Sequence, residues 1–288
     1  MRFSVVVPTC NRKATLRQTL AALATQDYAD YEIIVVDDGS TDGTQKMVGA
    51  EFPQVRYFRQ ANRGPAAARN VGIRQATGDI IAFTDDDCVP PPDWLTRLAD
   101  GYKRYPHVVG VGGYLEASDG VLKDNILARY ERHIARSLYC VGDTEYVGHF
   151  ECPAGGTNNL SYHRSILEQI GGFDDTFPYA AGEDADLKWR ICQTNAQLLF
   201  VPVKVTHLQP YIWKTFKRQA YFRGKGRAHF DLKHKSPPSR SLAVLRLVRR
   251  WMNFPLDLLD HERRCYILIR VAEAWYNFLG EWDMLAGR

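Results

Sequence analysis

Long apolar runs are missing from this chain. No stretch of about 18 uninterrupted apolar residues occurs among its 288 positions, so no transmembrane helix is expected. The N-terminal run Phe3-Ser4-Val5-Val6-Val7-Pro8 is too short for the apolar core of a secretory signal, and no small-residue cleavage site follows it. It reads as the first strand of a cytoplasmic domain. Paired cysteines are missing as well: Cys10, Cys88, Cys140, Cys152, Cys192 and Cys265 are scattered with no C-x-x-C spacing. That argues against a cysteine zinc site and a disulfide framework, and points to reduced thiols. Also absent are a G-x-G-x-x-G after the first strand, a G-x-x-x-x-G-K-[ST] anywhere, internal repeats and low-complexity tracts. These gaps weaken a dinucleotide site and exclude a P-loop. Acids are scarce in one region: residues 204–250 hold thirteen Lys or Arg and only Asp231, about +12, while the whole chain is +4. The remainder therefore carries about −8, an acidic body with a basic C-terminal side that suits an anionic partner.

The first hundred residues alternate strands and helices. Phe3 to Val7, Glu32 to Val36, Val55 to Phe58 and Ile80 to Phe83 read as strands. Helices are expected over Ala14 to Thr25, Thr44 to Glu51 and residues 65–76. The continuous apolar runs suit a parallel sheet covered on both faces, and the alternation implies a doubly wound α/β domain with right-handed crossovers. Beyond residue 105 the reading is a strand over Val108 to Leu115, helices over 121–139, Ser161 to Ile170 and Asp184 to Thr194, and a strand over Gln197 to Val201. From Ile212 onward mostly helix is expected, interrupted by the loop Lys235-Ser236-Pro237-Pro238-Ser239.

Two buried strands end directly in acids. Asp85-Asp86-Asp87 follows Ile80 to Phe83, and Asp37-Asp38 follows Glu32 to Val36. Adjacent carboxylates repel, and a divalent cation or a metal-bound polyphosphate relieves the repulsion. In an open α/β sheet, such strand ends face one ligand cleft. A polar turn with Asp at a helix cap explains either cluster equally well when seen alone.

The segments Val5-Val6-Val7-Pro8-Thr9-Cys10-Asn11-Arg12, Glu32 to Thr44, Asn62-Arg63-Gly64-Pro65-Ala66-Ala67-Ala68-Arg69-Asn70-Val71-Gly72, Gly78 to Asp87 and Gly182-Glu183-Asp184-Ala185-Asp186-Leu187 together resemble glycosyltransferase family 2. Five motifs in the family's order carry the resemblance over roughly residues 1–230. It implies the GT-A fold, a mixed nucleotide-binding sheet flanked by helices, with a helical C-terminal extension. It divides the chain into a catalytic domain, 1–230, with a nucleotide-binding half over about 1–105 and an acceptor-binding half over about 106–230, and an extension over 231–288.

The resemblance also implies roles. Pro8, Thr9, Asn11 and Asp38 form the nucleotide pocket, with Asp38 recognising the base, usually uracil, and Arg69 contacting nucleotide or steadying the pocket. Asp85 and Asp87 match the D-x-D pattern, Asp87 as the direct ligand of Mn²⁺ or Mg²⁺ and Asp86 toward the ribose. His207 stands where some members place a further metal ligand. Asp184 is the base that takes the acceptor's proton in an inverting transfer, and Glu183 helps to position the acceptor. Gly156, Thr157 and Asn158 belong to a loop bordering the acceptor. Gly171-Gly172-Phe173-Asp174 reads as a structural turn. Arg223 and Lys225, in the Gly-bearing segment 219–227, are expected to close over the diphosphate. That segment departs from the Q-x-x-R-W box of processive members, which with the missing membrane spans argues for a single transfer.

The tail alternates Arg246, Arg249 and Arg250 with Leu242, Leu245, Leu247, Val248 and Trp251, and later carries Ile267, Trp275, Tyr276 and Phe278. Such a segment either lies peripherally on the anionic inner face of a membrane or packs on the domain or on a second copy in a homodimer. The expected partners are a nucleotide-sugar donor and a saccharide or lipid-linked acceptor. Nucleic acid is not expected, because it leaves the acidic cleft unexplained. The rival readings are a sugar nucleotidyltransferase, which needs a Gly-rich basic loop after the first strand, and a non-catalytic nucleotide- or carbohydrate-binding protein on the same scaffold.

Overall fold

A computed structural model of the protein describes residues 1–138, 141–154, 156–177, 181–235, 239–252 and 265–286. Cys140, Gly155, the end of the helix expected over 121–139 and the Ser236 to Pro238 part of the expected loop lie outside the described residues. The chain forms two compact units: Met1–Gly120, Ile134–Asp175 and Asp184–Gln209 in one, Val121–His133, Thr176–Glu183 and Pro210–Arg288 in the other.

The first unit is built on nine strands: β1 (Phe3–Thr9), β2 (Tyr31–Asp37), β3 (Arg56–Arg59), β4 (Ile80–Phe83), β5 (Cys88–Val89), β6 (Val108–Glu116), β7 (Tyr146–Gly148), β8 (Leu160–His163) and β9 (Gln197–His207). They form one mixed sheet in the order β3-β2-β1-β4-β8-β6-β9-β5, with β7 also on β9. The first four strands are parallel, as expected, and β8 runs antiparallel to both β4 and β6.

Alternation along the strands divides the core. Val5, Val7, Ile33, Val35, Ile80 and Ala82 face one layer with Leu16, Leu20 and Leu23 of α1 (Lys13–Leu23), Met47 and Val48 of α2 (Thr44–Glu51), and Trp94, Leu95 and Leu98 of α4 (Trp94–Arg104). Val6, Ile34, Val36, Ile81 and Phe83 face the other layer. There they meet Ala68 and Ile73 of α3 (Pro65–Gln75), Leu167 of α7 (Arg164–Gln169), and Leu187 and Ile191 of α8 (Glu183–Cys192). Successive strand residues point to opposite faces, so an uninterrupted apolar run is what a sheet covered on both sides requires. Gly72 lets α3 settle directly on Val6, where a Cβ would collide with the valine side chain.

Three expectations are corrected. Ser161 to Ile170 is not one helix: Leu160–His163 is strand β8 and only Arg164–Gln169 is helical. Ser161, fully buried, donates its hydroxyl to the Val111 carbonyl at 2.7 Å, a partner 50 positions away. The helix expected from 121 is broken into α5 (Asp119–Asp124) and α6 (Ile126–Leu138). Asn125 sits at the break and its Oδ1 accepts from the Leu127 and Ala128 amides, an N-cap that starts the second helix. The strand expected over Gln197 to Val201 continues to His207.

In the second unit, α9 (Trp213–His234) packs on α11 (Ile267–Ala286), and α10 (Arg240–Met252) on α11. The segment 219–227 is the interior of α9, within the stretch expected to be mostly helix from Ile212 onward. A Cβ at Gly224 would strike the Asn277 carbonyl and one at Gly226 the Ala181 carbonyl, so both glycines serve as notches for neighbouring backbone. Arg223 pairs with Glu273 at 3.2 Å, and Lys225 Nζ lies 5.1 Å from the Tyr221 ring centroid. Part of the basic block is neutralised in the same way. Arg246 joins buried Asp231, at 2.6 Å, to buried Glu281.

Candidate active site

The parallel register sets three strand ends side by side. Thr9 at the end of β1 pairs with Asp37 at the end of β2, and Val6 pairs with Phe83 at the end of β4. The acids that follow β2 and β4 therefore flank β1. Asp38 is buried, and its carboxylate accepts from the Gln60 side chain, the Arg63 amide and the Gly64 amide, each at 2.8 Å. Three donors leave one of a carboxylate's roughly four acceptor positions open. Asp37 below it is fully buried, accepting from the Ser40 amide at 2.6 Å and from the Tyr57 hydroxyl. Burial, together with that carboxylate, pushes the Tyr57 phenol up. Asn11, with φ at 54°, accepts from the Thr41 amide at 2.8 Å and so fastens the β1 turn to the β2 turn. Asn is among the residues that tolerate such a φ. Pro8 is buried within β1.

The three acids after β4 have different neighbours. Asp85 pairs with Arg69 of α3 at 2.8 Å, and the Arg69 side chain is almost wholly buried, 5.6 Å from the Phe173 ring. Asp86 is buried; its Oδ2 accepts from the Thr9 hydroxyl at 2.7 Å and its Oδ1 from Arg12 at 3.1 Å. Burial pushes the Asp86 carboxyl up to about 6, against Arg12 and Thr9 and with the help of the two neighbouring carboxylates. Asp87 takes Arg12 on Oδ2 at 2.6 Å and faces His207 Nε2 with Oδ1 at 3.6 Å. Burial raises Asp87 too, but His207 and Arg12 outweigh it and hold the carboxyl below the usual range.

His207 reaches Asp87 because β5 pairs antiparallel with the end of β9, Cys88 opposite His207. Asp87, Cys88 and His207 bring one ligand atom each within 4.8 Å of one another. Burial, reinforced by Asp85 and Asp87, pushes the Cys88 thiol well up and keeps it protonated. The donors on offer are then a carboxylate oxygen and an imidazole nitrogen, a mixed set that suits a divalent ion completing its shell with oxygen ligands. Asp85, expected at the metal, is placed against Arg69 instead and is not part of this group.

Asp184 and Asp186 stand two apart at the start of α8 and differ in what they meet. Asp186 is fully buried in an ion pair with Arg190 at 2.8 Å, and Arg190 also donates to the Ile170 and Gly172 carbonyls. Asp184 is half-buried and accepts from the Ala185 amide at 2.8 Å. Burial pushes its carboxyl up; Arg69 opposes this and Asp85 adds to it, so Arg69 is felt by both acids. Glu183 is buried and follows Gly182, whose φ of 96° sets the turn against the Gly226 backbone. In the loop before β8, Thr157 is buried, and the Asn158 carbonyl accepts from the Thr84 hydroxyl at 3.1 Å, next to the acid triplet. A Cβ on Gly156 would press on the Asn158 side chain at 2.8 Å. Asn159 has a structural part: it accepts from the Trp94 indole at 2.8 Å and donates to the Tyr114 and Val203 carbonyls. Gly171 and Gly172 both have positive φ, and the Asn70 side chain clamps the Phe173 backbone, as a structural turn requires. In the sequence Arg12 stands out only as the last residue of the first motif; its two carboxylate partners lie 74 and 75 positions away, which local sequence does not reveal.

The family model for "Glycosyl transferase family 2" matches residues 4–171. The chain belongs to this family. Among its curated relatives, the glycosyltransferase of Mycobacterium tuberculosis named for pre-mycofactocin is 31% identical over 237 residues, covering 77% of this chain and 46% of that protein. The glucosyl-dolichyl phosphate glucuronosyltransferase of Haloferax volcanii is 30% identical over 182 residues, 60% of this chain and 56% of that one. The family 2 chain thus spans about half the length of these relatives. Among solved structures, the mannosyltransferase PcManGT from Pyrobaculum calidifontis, in complex with GDP-Man and Mn²⁺, matches with TM-score 0.61 at 21% identity, over 98% of this chain and 72% of that one. GalNAc-T7 with UDP, GalNAc and Mn²⁺ matches with TM-score 0.58 at 18% identity, over 80% and 50%. At these identities the likeness is one of fold, and it bears out the GT-A mixed sheet with its helical C-terminal region. Among the described residues of the family 2 chain, no helix is long and apolar enough to cross a membrane.

Proposed function

We propose that the protein is a metal-dependent, inverting, non-processive glycosyltransferase that moves one hexosyl unit from a nucleoside diphosphate donor, a UDP-sugar, to a hydroxyl of a saccharide or lipid-linked glycan intermediate. The observation that carries this reading is the rim itself. A carboxylate–imidazole pair, Asp87 with His207, belongs to the same acid triplet as Asp85, and Asp85 with its partner Arg69 is felt by a base-competent carboxyl, Asp184. Mn²⁺-containing neighbours of the same fold support the metal. The imidazole favours Mn²⁺ over Mg²⁺, which seeks oxygen alone.

Asp87 and His207 would hold the ion, and a divalent cation bound there would supply Lewis-acid stabilisation of the departing diphosphate. The open acceptor position of Asp38 receives a base N–H, with Pro8, Thr9 and Asn11 shaping the pocket, and Asp86 receives a ribose hydroxyl. Asp184 takes the acceptor proton as its oxygen attacks the anomeric carbon from the face opposite the diphosphate, and burial makes this carboxylate the stronger base. Arg69 limits the repulsion between Asp85 and Asp184. Gly156, Thr157 and Asn158 border the acceptor.

The enzyme is read as cytoplasmic, meeting the inner face of the membrane peripherally through its basic C-terminal region, alone or as a homodimer. One experiment tests the core of the reading. Purified chain with Mn²⁺ is screened against a panel of UDP-, GDP- and TDP-sugars for hydrolysis and thermal stabilisation. One or more UDP-sugars should be turned over only with metal. Turnover confined to GDP-sugars would move the donor assignment, and no stabilisation by any nucleotide would remove the transferase reading.

A further inference from the structure

All four oxygens of Asp86 and Asp87 are engaged. Asp86 Oδ2 takes the Thr9 hydroxyl, Asp86 Oδ1 and Asp87 Oδ2 share the single Arg12 nitrogen Nη1, and Asp87 Oδ1 faces His207. Arg12 therefore stands as a built-in cation on the same carboxylate that the metal reading uses. It does so from the last turn before α1, with 48% of its side chain exposed. A fixed positive charge there opposes a divalent cation arriving alone. A diphosphate reverses the sign, because an exposed guanidinium pairs with phosphate oxygens as readily as with carboxylates.

We propose that Arg12 makes cation binding and nucleotide binding at this rim depend on each other: it weakens the metal's hold in the absence of nucleotide and adds to the hold of both once a nucleoside diphosphate is present. This rests on the assignment of the metal to Asp87 and His207, and it goes beyond that assignment by naming a residue that sets the order in which the site fills. Coupling of this kind is reciprocal, so the same factor is read from either ligand. A single nitrogen bridges the two acids, so the charge rather than the fork shape of the guanidinium is what acts.

The test is Mn²⁺ binding to the full chain, followed by the electron paramagnetic resonance of free Mn²⁺, with and without saturating UDP, and no turnover is involved. For Arg12→Gln, Mn²⁺ alone should bind about 5-fold tighter than to the wild type, and the gain in Mn²⁺ affinity on adding UDP should shrink about 10-fold. Arg12→Lys keeps the charge and should retain most of the gain. A gain in Arg12→Gln within about twofold of the wild type, or Arg12→Lys losing as much as Arg12→Gln, overturns the proposal. Asp87→Asn separates the two levels. If it leaves wild-type Mn²⁺ binding unchanged, the metal assignment itself falls; if it abolishes Mn²⁺ binding while Arg12→Gln keeps the wild-type gain, only the role of Arg12 falls.

Discussion

Asp184 and Asp186 are the same residue type, two positions apart, yet their neighbours divide the work between them. Asp186 is consumed by Arg190, which holds the 170–172 backbone, so its loss should show in stability. Asp184 is half-buried, and burial raises the pKa of its carboxyl. With Asp184→Asn, kcat should fall about 1,000-fold while UDP affinity stays within a few-fold. Normal turnover would remove Asp184 as the base. The sign of the pH dependence follows from the same shift. A base must be ionised, so kcat/KM should rise with pH through the raised pKa of Asp184, and the residual rate of Asp184→Asn should lack that acid limb. The acids of the rim were legible in the sequence because each cluster directly follows an apolar run. Their individual partners were not. The Arg69–Asp85 pair spans 16 positions and the Arg12 pairs more than 70, so which side chains meet depends on the register of the strands.

Between elements, the side chain of Glu32 ties three strands and a turn. It accepts from Ser4 on β1 at 2.6 Å, from the amide and hydroxyl of Thr77 before β4, and from Arg56 on β3 at 2.6 Å. Burial raises its carboxyl, but these donors prevail and lower it from 4.5 to about 2. Such a depressed group contributes stability that is fully present above its unfolded value and is lost as pH falls through the folded one. Glu32→Gln should therefore lower Tm by about 4 °C or more near neutral pH. The difference from the wild type should close as pH drops from 4.5 to about 2. A Tm gap that persists unchanged to the lower limit would show that the charge of Glu32 is not what binds these elements. Strands β1 to β4 were legible because each is a β-branched or aromatic run bounded by Gly, Pro or Asp. Strand β8 was not: Ser161-Tyr162-His163 has no apolar run, leads directly into a helix, and is a strand only because β4 and β6 flank it. The helix α9 was expected, but not the part its glycines play: their use as backbone notches is set by Asn277 and Ala181, which local sequence does not show.

For the molecule as a whole, α10 directs one side into the second unit and the other outward. Ala243 and Leu247 are buried and Arg246 is held by two acids, while Val244, Leu245, Val248, Trp251 and Met252 are exposed on the opposite arc. At 100° per residue that arc is flanked by Arg240 and Arg249, both exposed, the pattern of a helix that lies on an anionic surface. The full chain should float with phosphatidylglycerol vesicles at low salt, and Leu245→Glu with Val248→Glu should cut the bound fraction about 10-fold. A wild type that stays unbound at low salt would leave only the packing account, and a dimer on sizing that these substitutions turn into a monomer would assign the face to a second copy. The sheet carries a different consequence. Thr9 meets Asp86 only because Val6 and Phe83 are paired, and a strand displaced by one position turns every side chain to the opposite face. Substitutions along this rim therefore grade its chemistry, whereas a one-residue deletion within β1 or β4 erases it. Chain length between these strand ends is therefore a stricter requirement of the rim than the identity of any single side chain along it.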